Sequence, residues 1–203
     1  MEIKICGLNP ARDVQLCIDL KVNYLGFVFY EKSPRNLNIS DIDLLSKYDK
    51  KNSTFVAVTV NPKNEFIKKN IKENFDLIQL HGSETKERVT EIRDMGFKII
   101  KAIKIKEEKD IEAYKDFEDL ADMILFDSNS MEKSKNIPKD LLSKLPKGDK
   151  FGLAGAINAD NILEYRQLGF NFLDLSSGLE KENAKGYKDH LKIKSFMSKV
   201  NSL

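Results

Sequence analysis

Residues 2–21 read EIKICGLNPARDVQLCIDLK, a short apolar run followed by a longer polar segment. The run is rich in β-branched residues, which favours a strand. The polar segment places four residues at the spacing of one helix face: Val14, Cys17, Ile18 and Lys21. This periodicity predicts an amphipathic helix with Cys17 on its buried side. The stretch therefore predicts one strand followed by one helix.

The same unit recurs along the whole chain. Eight strand candidates begin at Glu2, Tyr24, Thr54, Asp76, Lys98, Met123, Lys150 and Phe172. Polar segments with helical periodicity separate them, among them residues 158–169, NADNILEYRQLG. Eight such units predict a closed (β/α)8 TIM barrel of near-minimal length, formed by residues 1–203 as a single domain. The competing fold, an open dinucleotide-binding sheet, lacks support because no Gly-x-Gly-x-x-Gly follows the first strand.

Composition and charge exclude several classes of protein. The 34 basic and 32 acidic residues leave a net charge of +2, without the basic excess of a nucleic-acid-binding protein. No membrane span or signal peptide is apparent, and neither cysteine belongs to a cluster with zinc spacing. We expect a cytoplasmic, metal-free protein that binds neither nucleic acid nor membrane. The sequence leaves open whether it is a monomer or a homodimer.

Unusual residues gather at the predicted carboxyl ends of the strands, where TIM barrels carry their active sites. These residues are Cys6, Gly7, His81, Gly82, Asp127, Ser128, Gly155, Ala156, Ser177 and Gly178. The segment Ser33-Pro34-Arg35 follows the second strand. Polar groups from several strand ends on one face predict a functional site there.

Strand parity places two charged side chains inside the barrel. Lys4 shares a face with Cys6, and Asp174 alternates with Leu173 and Leu175. Strands one and eight become neighbours when a barrel closes, so we expect Lys4 and Asp174 to meet below the site. A buried charge is tolerated when it is paired.

The last two strands end in LAGAIN (153–158) and, after Asp174, LSSGLE (175–180), both rich in small residues. In TIM barrels these loops often bind phosphate through backbone N–H groups, which small residues allow to approach closely. We therefore predict a phosphate site formed by Gly155, Ala156, Ser177 and Gly178.

Taken together, these motifs resemble the phosphoribosylanthranilate isomerase family of tryptophan biosynthesis. The resemblance runs from Lys4 to about Asp189. It is carried by KICG (4–7), GFVFYEKSPR (26–35), VTVN (58–61), IQLHG (78–82), LFD (125–127), LAGAIN, DLSSGLE (174–180) and KGYKD (185–189).

The resemblance implies a cofactor-free Amadori rearrangement of a phosphorylated small molecule. By this match Asp127 is the general acid, Cys6 the general base, and Arg35 the partner of the anthranilate carboxylate. We expect positive charge to favour the Cys6 thiolate and partial burial to keep Asp127 protonated. His81 contacts substrate or has a structural role.

Two departures from the family pattern keep alternatives open. The usual LAGG is LAGA here, which preserves an N–H at Ala156 provided that its φ is negative. The segment after strand six, SNSMEKSKNIPKDLL (128–142), contains no glycine, and we expect a mobile loop around Asn129–Asn136. The alternatives are an isomerase or epimerase of another sugar phosphate and a paralogue that binds a sugar phosphate without converting it.

Overall fold

Eight parallel strands close into a barrel in a computed structural model of the chain, which describes residues 1–128 and 137–202. The strands pair in chain order, and β1 pairs with β8. They are β1 (Glu2–Cys6), β2 (Tyr24–Phe29), β3 (Thr54–Thr59), β4 (Leu77–Leu80), β5 (Lys98–Lys104), β6 (Met123–Asp127), β7 (Gly148–Ala154) and β8 (Phe170–Leu175). The predicted (β/α)8 barrel is confirmed.

Helices and helical turns connect the strands. The α-helices are α1 (Pro10–Asp19), α2 (Asn64–Phe66), α3 (Lys86–Asp94), α4 (Lys139–Lys144), α5 (Ile162–Arg166) and α6 (His190–Asn201). A π-helical turn at Ile67–Ile71 continues α2, and 3-10 turns occupy Ile39–Lys47 and Glu108–Asp116. Compact turns therefore replace full α-helices after β2 and β5.

Helix α1 shows how the local sequence sets the element. The Asn9 side chain accepts a hydrogen bond from the Ala11 amide at 3.1 Å, and Pro10 fits the first turn because it needs no N–H partner there. Cys17 is fully buried, as predicted. The prediction was wrong at Lys21, which lies beyond the helix, is exposed and has a left-handed φ of 60°.

The barrel interior is filled with side chains below the mouth. Apolar residues from six strands line it together with Cys6: Val28, Val56, Val58, Leu77, Ile100, Ala102, Leu125 and Phe172. A Cβ at Gly152 would lie 2.2 Å from the Phe172 ring, so glycine leaves the room that the ring occupies. The packed interior confines any substrate to the mouth.

A two-stranded antiparallel hairpin follows β8, a feature that the sequence analysis did not predict. Its strands are β9 (Glu180–Lys181) and β10 (Ala184–Lys188), and a 3-10 turn at Ser177–Leu179 leads into it. The loop expected to be mobile, around Asn129–Asn136, lies outside the described residues. Within the described part of the chain, no helix is both long and apolar enough to cross a membrane.

Candidate active site

Cys6 ends β1 and points into the barrel mouth. Its side chain lies against Gly26 of β2, where an added Cβ would be only 3.2 Å from both Cys6 Sγ and Lys4 Nζ. Glycine at this position therefore leaves room for the thiol and the amine. Asp127 ends β6, which lies three strands from β1 around the closed barrel. The two groups flank the mouth from nearly opposite sides.

The predicted contact between Lys4 and Asp174 is present. The Lys4 ammonium donates to Asp174 Oδ2 at 2.9 Å, and the two residues are register partners in β1 and β8. Burial alone would lower the pKa of Lys4, but its interactions with Asp174 and Cys6 together outweigh this effect and raise it. The pair therefore holds a charged amine directly beneath Cys6.

We predict that Asp174→Ala destabilises the fold by about 3–5 kcal/mol, because it leaves the Lys4 ammonium buried without its carboxylate. Urea unfolding would measure the loss. The matched control is Asp19→Ala, which breaks an exposed pair with Lys51 and costs less than about 1 kcal/mol. A double variant, Lys4→Met with Asp174→Leu, should recover most of the stability. An Asp174→Ala loss no larger than that of the control would contradict the prediction.

The Cys6 thiol is surrounded by cations, yet it is not acidified. Burial raises the pKa of Cys6, and the nearby charges of Lys4, Lys188 and Arg35 only partly oppose this effect. The predicted positive charge is therefore present and favours the thiolate, but burial and the Asp174 carboxylate outweigh it and leave the pKa of Cys6 raised. Sequence reasoning identified the charge near the thiol but not the extent of its burial.

A hydrogen-bonded chain links β4 to Asp127. Asp127 Oδ2 lies 3.0 Å from His81 Nε2, and His81 Nδ1 lies 2.9 Å from Gln79 Nε2. The Nε2–H group of His81 donates a hydrogen bond to the Asp127 carboxylate, and the Gln79 amide contacts the other ring nitrogen. Gln79 is fully buried and fixes the ring, so His81 holds Asp127 rather than lying free at the mouth.

Asp127 is held as a carboxylate. Burial would raise its pKa, but the hydrogen bond and charge of His81, the Ser128 amide and the charge of Lys104 together lower it. Lys104 is the register partner of Asp127 on β5. The expectation that partial burial keeps Asp127 protonated is therefore wrong, because it left out the partners supplied by β4 and β5.

Arg35 is paired rather than free. Its Nε and Nη2 atoms donate to Glu180 Oε1 and Oε2 at 2.5 and 3.1 Å, and the Glu180 side chain is completely buried. Lys188 approaches Glu180 Oε1 at 3.4 Å. Sequence reasoning singled out neither Glu180 nor Lys188, although both lie in the quoted motifs. Glutamate and lysine in a polar segment carry no signal of burial.

The two loops predicted to bind phosphate lie against each other. A Cβ at Gly178 would lie 2.3 Å from the Ile157 carbonyl oxygen, so glycine permits their close approach. Asn161 Nδ2 donates to the Ala156 carbonyl at 2.9 Å and holds the first loop. The φ of Ala156 is not positive. These contacts place Gly155 and Ala156 beside Ser177 and Gly178.

Metal ligands do not cluster in the described part of the chain. No group of three or more His, Cys, Asp and Glu residues could hold a metal ion there. What the site does offer is proton transfer, since a thiol and a carboxylate with raised and lowered pKa values flank the mouth.

Comparison with known proteins identifies the family. The family model described as N-(5'-phosphoribosyl)anthranilate (PRA) isomerase matches residues 3–199. The chain belongs to this isomerase family. It is thus an isomerase of tryptophan biosynthesis. N-(5'-phosphoribosyl)anthranilate isomerase of Thermoanaerobacter pseudethanolicus is 35% identical, with 100% of this chain and 99% of the relative covered.

Solved structures of family members have the same fold. The phosphoribosylanthranilate isomerase of Thermotoga maritima matches with a TM-score of 0.86 at 26% identity, covering 100% of both chains. A second isomerase structure, in complex with reduced 1-(o-carboxyphenylamino)-1-deoxyribulose 5-phosphate, matches with a TM-score of 0.82 at 26% identity and also covers 100% of both chains.

Proposed function

We propose that this protein converts N-(5-phosphoribosyl)anthranilate into 1-(2-carboxyphenylamino)-1-deoxyribulose 5-phosphate, with Asp127 as general acid and Cys6 as general base. The observation that carries the proposal is the placement of these two groups on nearly opposite strands at one mouth, in a chain of this family. The ligand of the solved relative is a reduced form of the same product, which favours this substrate.

The reaction needs one proton donated and one removed. Asp127 donates a proton to the ring oxygen as the C1–O bond breaks, which leaves a Schiff base at C1. Cys6 removes the proton from C2, and the C–H electrons form the C1–C2 double bond of an enolamine, which tautomerises to the ketone. Neither step changes the overall oxidation state, so the residues suffice without a redox partner.

Binding groups are available for both ends of the substrate. Arg35 would bind the anthranilate carboxylate, because a guanidinium matches a carboxylate in two parallel hydrogen bonds. Gly155, Ala156, Ser177 and Gly178 would bind the phosphate, since the 3-10 turn at Ser177–Leu179 starts with amides that have no partner within the turn. Lys4, Asp174 and His81 would keep Cys6 and Asp127 in place.

Direct assay of the purified chain tests the proposal. Incubation with N-(5-phosphoribosyl)anthranilate should consume the anomeric signal of the substrate and produce a ketone carbon, both followed by NMR. Binding of the reduced product without turnover would instead support a sugar-phosphate-binding paralogue. Turnover of another ribose phosphate with none of this substrate would reject the assignment.

The two pKa directions predict an unusual pH profile. With the pKa of Asp127 lowered and that of Cys6 raised, the reactive form, thiolate with protonated Asp127, is a small but constant fraction between the two values. Below the Asp127 pKa the thiolate becomes rarer as pH falls, and above the Cys6 pKa the protonated carboxyl becomes rarer as pH rises. We therefore expect kcat/KM to stay flat through neutral pH and to fall only at the two extremes. A single narrow maximum near neutrality would contradict this prediction.

A further inference from the structure

Glu180 is a buried charged residue that contacts Arg35, the proposed partner of the substrate carboxylate, and nothing in the proposed chemistry uses it. Its side chain is completely buried, whereas the Arg35 side chain keeps 22% of its surface exposed. Burial would raise the pKa of Glu180, but the hydrogen bond from Arg35 and the charges of Lys188 and Arg35 lower it. Glu180 is therefore a fixed carboxylate.

The Glu180 carboxylate is in turn held in place by Lys188. Lys188 Nζ lies 3.4 Å from Glu180 Oε1 and also donates to the Ser176 carbonyl at 3.1 Å. Ser176 Oγ in turn donates to the Cys6 carbonyl at 3.1 Å. The β9–β10 hairpin is thus connected through buried and partly buried polar contacts to the end of β1.

Two glycines, Gly7 and Gly186, leave room for Arg35 and for the loop that carries it. A Cβ at Gly7, whose φ is 77°, would lie 2.5 Å from Arg35 Cδ, so the arginine stem passes directly over the backbone next to Cys6. A Cβ at Gly186, whose φ is 84°, would lie 2.2 Å from the Pro34 carbonyl oxygen, so β10 lies directly against the loop that carries Arg35. The arginine is enclosed from both sides.

Glu180 binds one edge of the Arg35 guanidinium group and leaves a second edge available to another acceptor. Nε and Nη2 point one N–H each at Glu180, which is the side-on edge of the fork. Within residues 1–128 and 137–202, Nη1 makes no hydrogen bond. The Nη1–Nη2 edge therefore keeps two parallel donors, which is the arrangement that a second carboxylate requires.

We infer that Glu180 is a positioning residue that fixes Arg35 by its Nε–Nη2 edge, so that the Nη1–Nη2 edge receives the aromatic carboxylate of the substrate. The inference rests on the proposed function, which assigns that carboxylate to Arg35. Glu180 touches no substrate atom and acts through the arginine alone. It therefore sets the preference for a substrate that carries a carboxylate.

The test compares two substrates, N-(5-phosphoribosyl)anthranilate and N-(5-phosphoribosyl)aniline, which has hydrogen in place of the carboxyl group. The quantity measured is the ratio of their kcat/KM values. In Glu180→Gln an amide N–H₂ replaces one acceptor and opposes an N–H of Arg35, so the side-on pair is lost. We expect the ratio to fall about tenfold or more, mainly through KM for the anthranilate substrate.

An effect of charge alone would raise the ratio of the two kcat/KM values instead of lowering it. The experiment therefore distinguishes positioning from charge. Without the Glu180 carboxylate, Arg35 and Lys188 are uncompensated cations and would attract an anionic substrate more strongly. A ratio that rises or stays at the wild-type value would overturn the inference. An equal loss on both substrates would assign Glu180 a structural role and overturn it as well.

Glu180→Asp keeps the charge but withdraws the carboxylate by one methylene group, and the ratio should fall here too. It serves as the second variant if Glu180→Gln does not fold. The control is Asp76→Asn, a carboxylate-to-amide change just before β4, where Asp76 accepts a hydrogen bond from the Phe55 amide of β3. Its ratio should equal that of the wild type. Failure of the wild type to convert the anthranilate substrate would reject the proposed function itself, a result distinct from an unchanged ratio.

Discussion

Cys6→Ser should lower kcat for N-(5-phosphoribosyl)anthranilate by about 10²- to 10⁴-fold, the range that a general base contributes. The serine hydroxyl is close in size to the thiol but far less acidic, so no comparable anion is available to remove the C2 proton. The residual rate should carry the full primary isotope effect when C2 bears deuterium, because proton removal becomes the slow step. Steady-state kinetics with both isotopologues would measure the two quantities.

Binding and a matched thiol serve as controls for this variant. Affinity for reduced 1-(o-carboxyphenylamino)-1-deoxyribulose 5-phosphate should change only a few-fold, because Arg35 and the phosphate loops are untouched. Cys17→Ala removes the second buried thiol, which faces away from the mouth and whose pKa burial raises to about 12. This variant should keep its turnover. Full activity in Cys6→Ser would remove Cys6 from the chemistry.

The barrel fold and the position of the site could be predicted from the sequence because both follow from the short-range pattern of strands and helices. Alternation along β1 and β8 placed Lys4 and Asp174 on inward faces, and closure of the barrel made them neighbours, as the 2.9 Å contact shows. The same reasoning located Cys6 and Asp127 at strand ends. These inferences need only strand parity and the order of the strands.

The features that could not be predicted from the sequence depend on contacts between segments that are far apart in the chain. Arg35 and Glu180 are 145 positions apart, and no periodicity relates a loop after β2 to a hairpin after β8. The protonation states of Asp127 and Cys6 could not be predicted from the sequence for a related reason. The pKa of Asp127 depends on His81, just after β4, and on Lys104 of β5, and the pKa of Cys6 depends on how completely the mouth buries it.

Asp127→Asn should lower kcat by about 10²- to 10⁴-fold for a different reason, because the amide has no acidic proton to give to the ring oxygen. Ring opening then becomes the slow step, so the isotope effect from deuterium at C2 should shrink to near unity. The pattern is the reverse of that expected for Cys6→Ser.

The opposite isotope effects expected for the two variants test which residue is the acid and which is the base. The pKa directions alone would suggest the reverse assignment, with Cys6 as the acid and Asp127 as the base. The raised pKa of Cys6 and the lowered pKa of Asp127 favour a thiol and a carboxylate, so exchanged roles would also match the dominant protonation state. If the roles were exchanged, the large isotope effect would appear in Asp127→Asn and vanish in Cys6→Ser. The control is Asp122→Asn, at the opposite end of β6, where the carboxylate accepts from the Ile99 amide at 2.8 Å and where turnover should be unaffected. Isotope effects that follow our assignment would establish that a minor protonation state performs the reaction.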